Sequence, residues 1–132
     1  MVLGKFWNAT MTSPFYQYGL ELAGGSEPFF YIGTNTSILV ARMGSSLPFG
    51  QWRHLAVVFN GSQVQFYVNA ILVSTQPLAA SIQARGNPLN IGADTRPSQF
   101  HKGLLDEVRI YNRALTLSEL QIDMTTALPT RF

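Results

Sequence analysis

The chain has 132 residues, 46% of them hydrophobic and only 12% charged, which is enough apolar material for the core of one domain. Nine Lys and Arg against seven Asp and Glu leave a net charge of +2, too small and too scattered for the basic stripe a phosphate backbone demands, so no nucleic-acid partner is expected. There is no cysteine, which removes disulfides, thiolate metal sites and cysteine nucleophiles together.

In chain order, Met1 to Asn8 lacks the charged start and apolar run of a signal peptide, and no stretch reaches roughly eighteen uninterrupted apolar residues. A soluble chain without a membrane segment is expected. Residues 15–22 alternate Tyr16, Tyr18, Leu20 and Leu22 against Phe15, Gln17, Gly19 and Glu21, the period of a strand with one face on a core. Ala23 to Ser26 turns the chain. Two further apolar runs, Phe29 to Gly33 and Ser37 to Arg42, flank Thr34-Asn35-Thr36 as a hairpin. In residues 51–59, Arg53, Leu55, Val57 and Phe59 alternate with Trp52, His54, Ala56 and Val58. Asn60-Gly61-Ser62 then leads into Val64 to Val68, and Asn-Gly between two such runs is the strongest short hairpin signal. A tight connection at Asn69-Ala70 adds a third strand and predicts a meander.

After a loop over 76–88 come a short strand, Leu89 to Gly92, a polar loop from Ala93 to Lys102, and a predicted long strand from Gly103 to Tyr111. In that strand Asp106 shares the face of Leu104, Val108 and Ile110. Thr116-Leu117-Ser118-Glu119 is a capping box opening a short helix with Leu117, Leu120 and Met124 on one side. The Asn-x-Ser/Thr triplets at Asn8, Asn35 and Asn60 are glycan acceptors if the chain passes through a eukaryotic secretory route.

Four motifs stand in a fixed order: Gly50-Gln51-Trp52-Arg53-His54-Leu55-Ala56-Val57, then Phe66-Tyr67-Val68-Asn69-Ala70, then Leu89-Asn90-Ile91-Gly92, then Gly103-Leu104-Leu105-Asp106-Glu107-Val108-Arg109-Ile110-Tyr111-Asn112-Arg113-Ala114-Leu115. Together they resemble the laminin-G-like family of the concanavalin A-like lectin/glucanase superfamily, most specifically from Gly50 to Met124. The resemblance implies an all-β fold: a two-sheet antiparallel jelly-roll sandwich over residues 1–132, with one short C-terminal helix. It also implies extracellular work and a structural place for Trp52. Asn69-Ala70 stands where the family has Asp-Gly, and the family's opening strands have no counterpart before Lys5. A sheet short of strands exposes an edge, so a homodimer built by edge pairing or strand exchange is expected, unless the chain is a fragment of a longer protein.

The function implied by the resemblance is non-catalytic binding or adhesion, with carbohydrate as the ligand class. The alternatives are a structural interaction module that homo-oligomerises and a degenerate glycoside hydrolase. Against hydrolysis, the family's E-x-D-x-x-E run is absent, and Asp106 and Glu107 are neighbours pointing to opposite faces of a strand. His54 reads as a structural hydrogen-bonding residue. Sugar binding uses flat aromatics beside polar fork groups. The candidates are Trp7, Tyr16, Tyr18 and Tyr31, which alternatively fill the core or an interface, together with Asp94, Arg96 and His101 from the polar loop. No cofactor is required. In the resembled family an aspartate of the last long strand can hold a structural calcium, which makes Asp106 the candidate ligand, although backbone amides or an arginine would also satisfy it.

Overall fold

The computed structural model describes residues 1–5, 17–93 and 100–129. The β-branched and aromatic runs form strands in the predicted order: β1 (Leu3–Lys5), β2 (Tyr18–Ala23), β3 (Glu27–Gly33), β4 (Ile38–Arg42), β5 (Leu55–Phe59), β6 (Gln63–Val68), β7 (Ile71–Pro77) and β8 (Leu89–Ile91). The helix α1 (Leu117–Thr125) follows. The chain is an all-β sandwich of two antiparallel sheets, one of order β4-β3-β2-β1-β8 and one of order β5-β6-β7, consistent with a jelly roll. Among the described residues no helix is long and apolar enough to cross a membrane.

The turns explain the registers. At the β5–β6 connection the Asn60 side chain accepts from the Ser62 N–H at 3.1 Å and the Gln63 N–H at 3.0 Å, an Asx turn that fixes Phe59 opposite Val64. Asn69 and Ala70 both take positive φ, 51° and 59°, the left-handed pair that matches the twist of a hairpin and joins β6 to β7. Between β3 and β4 the Thr34 N–H donates to the Ser37 carbonyl at 2.8 Å.

Alternation then puts one face of each sheet inside. Phe30 and Ile32 of β3 and Ala41 of β4 meet Val64 and Phe66 of β6, with Met43 and Leu78 at the margins and Val57 and Phe59 of β5 packed against them. Phe66 is 0% exposed. Full burial of such a side chain stabilises by about 1.5–3 kcal/mol. On the opposite face of the smaller sheet, Val58 and Tyr67 receive Leu120 of α1, with Ala56 and Leu115 beside them. The capping box forms as predicted: the Glu119 N–H donates to Thr116 Oγ1, and the Thr116 N–H donates to Glu119 Oε2.

The predicted strand from Gly103 to Tyr111 does not form. These residues run without regular secondary structure, and none makes a backbone–backbone hydrogen bond with another described residue. Glu107 sits at φ 52°, which breaks the extended alternation in the middle of the run, and Leu104 is 77% exposed. Apolar alternation becomes a strand only where the segment lies within hydrogen-bonding reach of an edge, and residues 103–111 pair with none among the described residues.

Candidate functional site

The two sheets differ in width by two strands, and that difference makes the site. β4 adjoins β7, and β3 faces β6 through the shared core, so β2 stands over β5 while β1 and β8 extend past its edge. The overhang roofs an open cleft of about 1880 Å³. Tyr18, Leu20 and Phe30 of the same sheet continue this roof as its apolar lining, and Val57 and Phe59 form one wall. Residues 102–115 bound the far side. At the rim lies the loop from Leu47 to Arg53, turned by Gly50 at φ 73°, a conformation that a side chain would strain.

That loop carries what the sequence reading assigned to structure. Trp52 is 65% exposed and Phe49 is 78% exposed, both on the cleft, with Gln51 and Arg53 between and beside them. The Arg53 guanidinium donates to Gln51 Oε1. Trp52 precedes β5 rather than belonging to it, so strand alternation does not place it inside. The sequence held one usable sign, the polar pair Gln51 and Arg53 on either side of a large aromatic ring.

The two described members of the predicted aromatic set, Tyr18 and Tyr31, do not share a face. Tyr18 lies on the cleft side, half-buried, with burial pushing its hydroxyl pKa up. Tyr31 pairs with Gly19 across β2 and β3, and its ring projects from the other face beside Phe29, with ring centroids 6.0 Å apart. Tyr31 is only 4% exposed, and its hydroxyl donates to Glu21 Oε1 at 2.9 Å. Trp7, Tyr16, Asp94 and Arg96 lie outside the described residues. His101 lines the cleft mouth, anchored by its N–H on the Gly92 carbonyl at 2.7 Å, and burial lowers its pKa.

Asp106 is exposed rather than on an apolar face. Its carboxylate accepts the Glu107 N–H at 2.8 Å, and no group of three acids or histidines gathers among the described residues. These surroundings do not fit a calcium cage, which needs six or more oxygens converging on the ion.

A second polar cluster fastens the C-terminal arm. The Arg109 guanidinium donates to the Asp123 carbonyl at 2.8 Å, meets Asp123 Oδ1 at 3.0 Å and Glu107 Oε2 at 3.2 Å, and also donates to the Thr126 carbonyl. The Leu128 N–H donates to Glu107 Oε2 at 2.7 Å. The Asp123 carboxylate hydrogen-bonds Tyr111 and raises its pKa. His54 feels the same charges. Burial lowers its pKa first, with Asp123 opposing and Arg109 reinforcing that shift, while its backbone N–H is held by Asn69 Oδ1 at 3.0 Å. Arg109, Glu107, Asp123 and Tyr111 bond one another, which is the behaviour of a latch, while the His54 imidazole stands beside them with its Nδ1 unpartnered among the described residues.

The family model described as the concanavalin A-like lectin/glucanases superfamily, laminin-G type, matches residues 4–121. A crystal structure of an S-layer domain-containing protein from Clostridium thermocellum is similar over 75% of this chain, at 22% identity and a TM-score of 0.50. This chain spans 52% of that one, so the likeness concerns the fold. No curated protein matches the chain. The chain belongs to the laminin-G-like branch of the concanavalin A-like lectin/glucanase superfamily.

Proposed function

We propose that this domain is a non-catalytic binding module, working outside the cell or at its surface, that takes carbohydrate on the rim of the cleft. The observation that carries this reading is the pair of exposed rings, Phe49 and Trp52, set beside Gln51 and Arg53. Flat aromatic faces stack on the C–H faces of a sugar, while an amide and a guanidinium reach its hydroxyls. Membership of a superfamily that spans lectins and glucanases agrees with that ligand class.

Binding without bond cleavage is favoured by what the acids do. A glycosidase needs a carboxyl group held protonated near neutral pH and a second carboxylate across the bond. Here Glu107 and Asp123 are engaged by Arg109, and Arg113 drives Glu119 the other way, down to about 2.

The test is a glycan array followed by titration calorimetry on the best glycan, comparing the natural chain with Trp52→Ala. The expected outcome is glycan binding that falls at least about tenfold in the variant, roughly 1.4 kcal/mol. Binding that is indifferent to Trp52 would move the ligand off this rim, and an array with no hits would defeat the carbohydrate reading.

A further inference from the structure

β5 is the open edge of the smaller sheet, and its backbone shows what the edge lacks. The Asn69 N–H donates to the His54 carbonyl at 2.8 Å and the Asn60 N–H to the Gln63 carbonyl at 3.3 Å. In an antiparallel ladder hydrogen-bonded pairs alternate, so residues 54, 56, 58 and 60 turn their backbone groups toward β6. Leu55, Val57 and Phe59 therefore turn their N–H and C=O groups toward the cleft, where none of the described residues meets them. Their side chains are half-buried, and unpaired backbone groups in such a place cost about 1–3 kcal/mol each.

The far wall of the same cleft has the matching lack. Among the described residues, 104–108 find no backbone–backbone hydrogen-bond partner; they carry the exposed Leu104 and Leu105 and hold Glu107 in a strained left-handed conformation that an extended strand would release. The charges match as well. Arg53 and Asp106 both line the cleft, and neither takes part in an ion pair among the described residues. The shape sets what can enter. Because β1 and β8 overhang the edge of β5, a second whole sandwich cannot abut it side by side, whereas one extended segment fits beneath the roof.

We propose that the occupant is a second copy of this chain: two copies meet about a two-fold axis with their clefts facing, and residues 104–108 of each enter the other's cleft as a strand along β5. The arrangement is self-complementary. Each copy offers an unpaired edge and an unpaired segment, and Arg53 of each meets Asp106 of the other. The segment stays tethered at both ends, by the His101 N–H on Gly92 and by Arg109 on Asp123, so the exchange is a loop insertion and α1 keeps its own sheet. This inference shares Arg53 with the carbohydrate reading but not Phe49 or Trp52, so Trp52→Ala, which should lower glycan binding and leave association unchanged, separates the two.

Light scattering and sedimentation equilibrium over a wide concentration range, on the natural chain and on variants, test it. The natural chain should have the mass of two copies at micromolar concentration. Arg53→Asp and Asp106→Arg should each weaken association by about tenfold or more, and the double variant, with the charges exchanged, should recover it. Val57→Pro removes a cleft-facing N–H that β6 does not use. It should give a monomer, with circular dichroism checking that the sheets persist. A mass of one copy at every concentration overturns the proposal. So does a dimer whose strength is the same in both single charge variants, or an open-ended assembly in place of a closed pair.

Discussion

Two stretches of this chain carry the same alternation of apolar and polar residues and end differently. The meander over β5, β6 and β7 is three paired strands, interrupted only by a register shift against β7 between Phe66 and Tyr67, with Val64 and Phe66 sealed from solvent. The arm over 103–111 alternates likewise, though with three charged residues in it, and it forms no ladder and leaves Leu104 and Ile110 in solvent. In the meander each strand is one tight turn from its partner, so the loop-closure cost of pairing is small and the turn residues Asn60, Asn69 and Ala70 set the register. The arm has no neighbouring strand in sequence. It is held instead by side chains, through Arg109 on Asp123 and Glu107 on the Leu128 N–H. Periodicity proposes a strand, and a partner edge decides it.

The sharpest way to break this contrast is to delete one side chain from each region. Phe66→Ala should cost about 3–5 kcal/mol, because the ring is enclosed by Phe30, Ile32 and Val64 and the cavity cannot collapse. Ile110→Ala, in the arm, should change stability by no more than about 0.5 kcal/mol, as expected of a half-exposed residue outside a packed layer. Urea denaturation of both variants measures the difference. Comparable losses would mean that the arm is a packed strand after all.

The same contrast explains what could be read from the residues alone. The sheet class, the hairpins at Asn60 and at Asn69-Ala70, and the capping box at Thr116 are local. Each rests on turn or cap chemistry within a few residues, and each was legible. The site was not. Trp52 reads as structural from its place in the family motif, but it lies three residues ahead of β5, in the loop turned at Gly50, and is exposed. Tyr18 and Tyr31 looked like one surface, but their spacing of thirteen positions hides the hairpin that puts them on opposite faces of one sheet. Asp106 shares an apolar face only if residues 103–111 form a strand, which they do not. These errors share one cause, that long-range pairing decides which face of a strand is inside.

A smaller effect sharpens the picture of the meander itself. Ala70 takes φ 59°, where its Cβ approaches the following carbonyl, at a cost of about 1–2 kcal/mol relative to a residue without one. Ala70→Gly relieves that strain and gives up a buried methyl worth about 0.8 kcal/mol. The expected balance is a gain of about 0.5 kcal/mol, read as a higher thermal midpoint. A loss would mean that packing of the methyl, rather than the turn, dominates at this position.

The smallest effect concerns the end of the arm, where the helix cap depends on a charge. Glu119 accepts from Arg113 at 2.6 Å and 3.0 Å and from the Thr116 N–H at 2.8 Å, and these bonds lower its pKa from 4.5 to about 2. The folded-state pKa is depressed, so the cap's stabilisation is fully present above pH 4.5, fades as the pH falls below that value, and is lost by about 2. Acid titration followed by nuclear magnetic resonance should therefore show the Thr116 amide shifting with a midpoint near the folded value. In Arg113→Gln the midpoint should move back up toward 4.5, since the guanidinium is the largest cause of the shift. A Glu119 that titrates near 4.5 in the natural chain would mean that the ion pair with Arg113 is open in solution, leaving Thr116 Oγ1 alone to hold the first turn of α1.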